Sequence, residues 1–211
     1  PVSDECPYPG LLSFEVGDQS RFFGREQVVA DLVARVRDGH LIAVVGSSGS
    51  GKSSVLRAGA AASVADARVV TPSRDPAAAL GGVDPHAPLV VDQFEELFTQ
   101  CDDENSRVAF IDTLLRRAGP VVIGLRADFY GACATHPGLA AAVAADQVLL
   151  GPMNDAELRR AITEPARLAG LRLEPGLVDV LMGEVAGEAG ALPLLSHALR
   201  ATWERRGYRT P

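Results

Sequence analysis

Leu41-Ile-Ala-Val-Val45, Gly46-Ser-Ser-Gly-Ser-Gly-Lys-Ser53 and Ser54-Val-Leu-Arg-Ala58 follow one another without a break, and their order decides the fold. The first is an apolar run short enough for a buried strand, the second a G-x4-G-K-S loop, and the third is compatible with a helix. Gly46, Gly49 and Gly51 let the backbone curl so that the N–H groups from Ser47, Ser48 and Ser50 through to Ser54 can point inward. The helix that follows adds its positive N-terminal end, which makes the loop a nest for an anion. In such a nest Lys52 is expected to reach β- and γ-phosphates, and the Ser53 hydroxyl to ligate Mg²⁺. A glycine-serine linker could match the loop, but not the strand and helix in register around it.

A phosphate loop needs a carboxylate at the end of a second buried strand to hold the metal's shell. Pro88-Leu-Val-Val91 followed by Asp92 supplies one, although a strand-end acid can also cap a helix. The chain continues Gln93-Phe-Glu-Glu-Leu-Phe98, so that Glu95 or Glu96 is placed to orient an attacking water; the alternative for each is a solvated acidic helix face. A third strand, Pro120-Val-Val-Ile-Gly-Leu125, ends in Arg126-Ala-Asp-Phe-Tyr130. Ligands of open parallel sheets sit outside the carboxyl ends of the strands, so Arg126 should face the same cleft as Lys52 and Asp92. There it can sense the γ-phosphate, unless it reaches solvent or pairs with Asp128.

Outward from this centre, further short strands read at Arg68 to Val70 and Val148 to Leu150, with helical patterns between most strands. That alternation predicts a three-layer α/β sandwich around a parallel sheet. Asp102 and Asp103 can cap a helix with Val108, Ile111, Leu114 and Leu115 on one face, and Thr71 to Pro88 reads as a loop or short irregular helix. Beyond Gly151 the strand signals stop. Asn154 and Glu157 form a capping-box pair, and Pro165 is expected to break or restart the helix they open. Helices at Leu177 to Val185 and Leu192 to Arg206 complete a helical lid. The expected division is a lead-in at 1–20, a nucleotide-binding domain at 21–151 and the lid at 152–211.

The 211 residues are 47% apolar and 22% charged, as in an ordinary globular chain rather than a disordered one. The net charge of −7 and the lack of a basic stripe speak against nucleic acid as a direct partner. Arg205, Arg206 and Arg209 read as a solvated face. No apolar run approaches the ~20 residues of a membrane span. Cys6, Cys101 and Cys133 form an odd set without metal or redox spacing, which suits a reducing, cytoplasmic compartment. His40, His86, His136 and His197 show no metal spacing either. The chain opens at Pro1 without Met, and a piece of a longer protein is expected. Lys52 is the sole lysine beside 19 arginines, out of 20 basic residues. A compact ammonium fits a phosphate cradle that a planar guanidinium does not.

Several segments together resemble the bacterial novel STAND signal-transduction ATPases. They are Cys6-Pro-Tyr-Pro-Gly-Leu11, Phe22-Phe-Gly-Arg-Glu26, the phosphate loop, Val91-Asp-Gln-Phe-Glu-Glu-Leu-Phe98, Gly124-Leu-Arg-Ala-Asp-Phe-Tyr130 and Ala191-Leu-Pro-Leu-Leu195. The resemblance implies an ATP/ADP switch with the nucleotide between sheet domain and lid, closed with ADP and able to self-associate with ATP. It also implies flanking effector and sensor domains, such as a WD-repeat propeller. By the same resemblance Gly24 and Arg25 lie near adenine and ribose, with Arg25 otherwise a plain turn residue. Pro193 takes the lid's G-x-P position, with Ala191 where that pattern has its first glycine and Gly190 one place earlier. The family's winged helix, with its phosphate-binding histidine, has no segment here. An enclosure short of one wall should hydrolyse slowly and release nucleotide quickly. Two other classes compete: an AAA+-type motor or loader, which favours a basic pore, and a small-molecule kinase, which favours an arginine-rich lid.

Overall fold

The computed structural model describes residues 5–38, 40–185 and 190–205. Arg206, the expected last residue of the third lid helix, and Arg209 lie outside the described residues. The strands are β1 Leu41–Gly46, β2 Arg68–Val70, β3 Leu89–Val91, β4 Val121–Arg126 and β5 Gln147–Leu149, each within one residue of its expected span. All pair in parallel, in the order β2-β3-β4-β1-β5. The chain therefore crosses from β1 to an edge, returns through β3 and β4, and reaches the other side of β1 with β5. Strands covered on both faces read as continuous apolar runs, which is why β1, β3 and β4 carry almost no polar residue.

Alternation within β1 divides the core. Ala43 and Val45 face one layer with Phe94, Leu97, Ile111 and Leu139, whereas Ile42 and Val44 face the other with Leu32, Val55 and Leu56. The helices are α1 Glu26–Val36, α2 Lys52–Ser54, α3 Pro76–Ala79, α4 Glu96–Thr99, α5 Glu104–Leu115, α6 Tyr130–Cys133, α7 Pro137–Ala145, α8 Asp155–Leu168, α9 Leu177–Val185 and α10 Leu192–Glu204. Helix α2 runs on as a π-helix over Val55–Ala61, and short 3-10 turns cover Val16–Arg21 and Ala127–Phe129.

Two local expectations need correction. The buried face of α5 is Phe110, Ile111 and Leu114, whereas Val108 is exposed. At 100° per residue Val108 falls about 110° from the middle of that face. Asp103 caps the helix, accepting from the N–H groups of Asn105 and Ser106. The second correction is Pro165, which does not break α8. A proline inside a helix costs the N–H bond to the carbonyl four residues back. Here Pro165 and Ala166 are buried, so packing holds the helix through that loss. The capping box of Asn154 and Glu157 starts α8 as expected.

The lid has its own core of Leu158, Ile162, Ala166, Leu195 and Leu199, and Tyr8 of the lead-in is packed inside it. The cysteines are unpaired thiols, with Cys101 and Cys133 buried. Burial pushes the Cys133 thiol up to about 11, out of the reactive range. His136 caps α7 by accepting from the Leu139 N–H through Nδ1, and His40, His86 and His197 are exposed. Among the described residues no helix is long and apolar enough to cross a membrane.

Candidate functional site

A cleft of about 410 Å³ opens at the carboxyl ends of β1, β3 and β4, and three parts of the chain line it. The sheet contributes Ser48, Gly49, Gly51, Lys52, Ser53, Ser54, Asp92, Gln93, Glu95 and Arg126. The lid contributes Met153, Ala161, Leu192, Pro193 and Ser196, among others. The lead-in contributes an unbroken stretch from Tyr8 to Phe14.

Within the loop, Lys52 Nζ donates to the carbonyls of Gly46 at 2.9 Å and Ser47 at 2.7 Å, which stitches the curl. Burial lowers the pKa of this ammonium, while the carboxylates of Glu95, Asp92 and Asp128 act against that and Arg126 adds to it. These groups surround one point. Ser50 is buried under the loop, and its Oγ has no hydrogen-bond partner.

Asp92 is 1% exposed at the end of β3. Its Oδ1 accepts from Ser53 Oγ at 3.0 Å and from the Gln93 N–H at 2.9 Å, and its Oδ2 accepts from Arg57 Nε at 2.9 Å. A serine hydroxyl and a carboxylate this close are hard oxygen donors of the kind Mg²⁺ takes, with phosphates and waters filling the remaining positions. Among the described residues no group of three His, Cys, Asp or Glu side chains could hold a metal. The Ser53 hydroxyl and the Asp92 carboxylate are a donor set that fits Mg²⁺.

Gln93 follows with φ 54°, left-handed backbone that a side chain rarely adopts. This turn lets Phe94 N–H reach the Gly124 carbonyl at 2.8 Å and brings Glu95 back to the cleft, where its Oε2 accepts from the Arg126 N–H at 3.3 Å. Glu95 lines the cleft. Glu96 stands at the start of α4, half-buried and outside the lining, with its pKa raised by burial and by Glu95 and Asp92. Arg126 lines the cleft and also pairs with Asp128, its guanidinium 5.6 Å from the Phe129 ring. The pairing with Asp128, the alternative weighed for it, is formed at the cleft itself.

The Gly24-Arg25-Glu26 segment is a joint between sheet and lid. Gly24 has φ 89°, and a Cβ there would lie 2.4 Å from the Glu157 carbonyl of α8. Arg25, 4% exposed, donates to the Gly151 carbonyl at 2.7 Å and the Ser50 carbonyl at 3.4 Å, with Glu157 at 3.8 Å. Glu26 pairs with Arg160 at 2.9 Å. Arg25 also lines the cleft, whereas Gly24 does not. On the lid, Gly190 at φ 85° lies against Gly49, and a Cβ on Gly49 would meet its carbonyl at 2.9 Å. Gly190, one place before the expected position, makes the lid's approach to the phosphate loop.

The lead-in is tied to both sides. Tyr8 Oη donates to the Ile162 carbonyl at 2.7 Å, and Gly10 N–H donates to Ser196 Oγ at 3.1 Å. Phe14 N–H donates to Ser54 Oγ at 3.1 Å, directly after the phosphate loop. This strap and Arg57 were absent from the residues expected at the site. The signal for Arg57 was its position one turn beyond Ser53 on a helix otherwise apolar around it.

The family model described as novel STAND NTPase 1 matches residues 7–87 and 81–210. The sulfate/thiosulfate import ATP-binding protein of Photorhabdus laumondii is 44% identical over 46 residues, 22% of this chain and 13% of that protein. Among solved structures, AMPPCP-bound DnaA from Aquifex aeolicus matches with a TM-score of 0.57 and 14% identity, over 89% of this chain and 65% of that one. The Orc1 protein of Aeropyrum pernix, solved in complex with DNA, gives 0.63 and 15%, over 90% of this chain and 62% of that one. The chain thus spans less than two thirds of either structure, and at these identities the likeness is one of fold.

Proposed function

This chain belongs to the novel STAND NTPase family, and from that premise we propose that its cleft binds ATP and ADP with Mg²⁺ and hydrolyses ATP slowly, as the switch of a larger signalling protein. The observation that carries the reading is the set of Lys52, the Ser53–Asp92 pair and Glu95 around one cleft. Lys52 and the loop N–H groups bind the phosphates. Ser53 and Asp92 hold Mg²⁺, which when bound neutralises phosphate charge. Glu95 orients water, with Arg126 leaving Asp128 to meet the γ-phosphate. In this reading residues 21–151 carry the nucleotide, 152–211 cover it with Pro193 and Leu192, and the lead-in 1–20 joins the two. ADP favours the closed arrangement, and ATP favours assembly with further copies and with flanking effector and sensor domains.

Steady-state phosphate release tests this. A switch is expected to turn over below about 10⁻² per second, the range of phosphate-transferring switches without an arginine supplied by a partner. Turnover of several per second at physiological ATP would favour a motor.

The strap gives a second expected result. Tyr8→Phe keeps the ring in the lid core and removes only the hydroxyl's bond to Ile162. One hydrogen bond is worth about 0.5–1.5 kcal/mol, so release of a fluorescent ADP analogue should quicken by about 2- to 10-fold in stopped flow. An unchanged rate would mean that the strap does not retain nucleotide.

A further inference from the structure

Arg57 lies outside the residues that a phosphate loop requires, yet it makes the ion pair to the most buried carboxylate of the cleft. The Asp92 side chain is 2% exposed, and a carboxylate so far from water needs both oxygens satisfied. Ser53 Oγ and the Gln93 N–H occupy Oδ1, and Arg57 Nε occupies Oδ2 at 2.9 Å. Ser53 and Arg57 are four residues apart on one helix, so a single rigid element grips both oxygens and sets the plane of the carboxylate. The guanidinium sits on the oxygen away from Ser53, and so it leaves free the side where a cation would meet the serine hydroxyl. Its other edge, through Nη1, donates to Glu15 Oε1 at 2.7 Å, at the end of the strap.

We propose that Arg57 is a positioning residue for Mg²⁺. By tying Oδ2 it holds Asp92 against Ser53, and it thereby sets how much the metal adds to nucleotide affinity. This rests on the Mg²⁺-nucleotide reading above. A guanidinium that instead stood in for the metal would compete with it, and its removal would have the opposite sign. The outer pair with Glu15 is half in water, the glutamate being 60% exposed, and is a tether for the strap rather than a determinant of the metal.

The test is the affinity for ADP by calorimetry, once with Mg²⁺ and once with EDTA, for the wild-type chain, Arg57→Ala, Arg57→Lys and Glu15→Gln. The quantity read is the ratio of the two dissociation constants. Residues that orient a metal's ligands typically contribute about 10- to 100-fold to metal affinity. Arg57→Ala is expected to cut the Mg²⁺ enhancement by about tenfold or more, with the EDTA affinity within about twofold of wild type. Arg57→Lys retains charge but not the Nε donor, folds with the least disturbance, and should give an intermediate ratio. Glu15→Gln should leave the ratio unaltered. An enhancement unchanged or increased in Arg57→Ala overturns the proposal. So does an equal loss with and without Mg²⁺, which would mark damage to the phosphate loop, and so does a Glu15→Gln variant that reproduces the loss. Failure of the underlying reading looks different: the wild-type chain itself would bind no ADP, or bind it equally in Mg²⁺ and EDTA.

Discussion

Lys52→Ala is expected to weaken ATP and ADP binding by about 30-fold or more. A hydrogen bond to a charged group is worth about 1.5–3 kcal/mol, and the ammonium, with two N–H groups on loop carbonyls, keeps a third for phosphate. It also stitches the loop by its bonds to Gly46 and Ser47, so its loss loosens the nest as well as removing charge. Stability should fall much less than binding, because the two loop carbonyls lose their donor while a buried ammonium is replaced by the residue that most favours a helix. A thermal melt beside calorimetry separates the two effects. Lys52→Arg should restore little, since a planar fork does not fit where a point charge does. Unchanged nucleotide affinity in Lys52→Ala would end the phosphate-loop reading.

Glu95→Gln should slow cleavage of bound ATP by about 10²-fold or more, within the range for a positioned general base, while ATP still binds. The amide oxygen can keep the bond from the Arg126 N–H, so the turn after Asp92 is preserved and the change is one of basicity. Glu96→Gln should have little effect, because Glu96 lies outside the lining. Single-turnover assays decide between them. If Glu96→Gln is the slow variant and Glu95→Gln is not, the two roles exchange.

The centre of the fold was legible because its information is local. Apolar runs bounded by turn residues placed all five strands, and the glycine spacing of the loop between β1 and α2 left few alternatives. That Lys52, Asp92 and Arg126 would come to one edge followed from strand-end geometry and needed no knowledge of strand order. What was not legible depends on distant partners. Arg57 finds Asp92 across 35 residues, and Tyr8 finds Ile162 across 154, so neither pair leaves a periodic trace. Pro165 misled for the opposite reason: its local cost is real, but the lid core around it outweighs that cost. Which of Glu95 and Glu96 lines the cleft turned on Gln93, whose left-handed backbone redirects the chain after it. Gly24 and Arg25 were expected beside the base and sugar from resemblance; what their contacts with Glu157, Gly151 and Ser50 show is a joint between sheet and lid.

The lysine that stitches the loop is the only one in the chain, and it is 9% exposed in the cleft. The other 19 of the 20 lysine and arginine side chains are guanidinium groups, which acylating reagents largely ignore. Burial lowers the pKa of this amine, which raises the share present as the nucleophilic free base. Covalent modification of side-chain amines in this chain is therefore a single-site reaction, and its rate reports access to the phosphate loop. An acetyl group placed there would remove the charge that the proposed function assigns to phosphate binding, so the chain offers a unique target for silencing the module chemically.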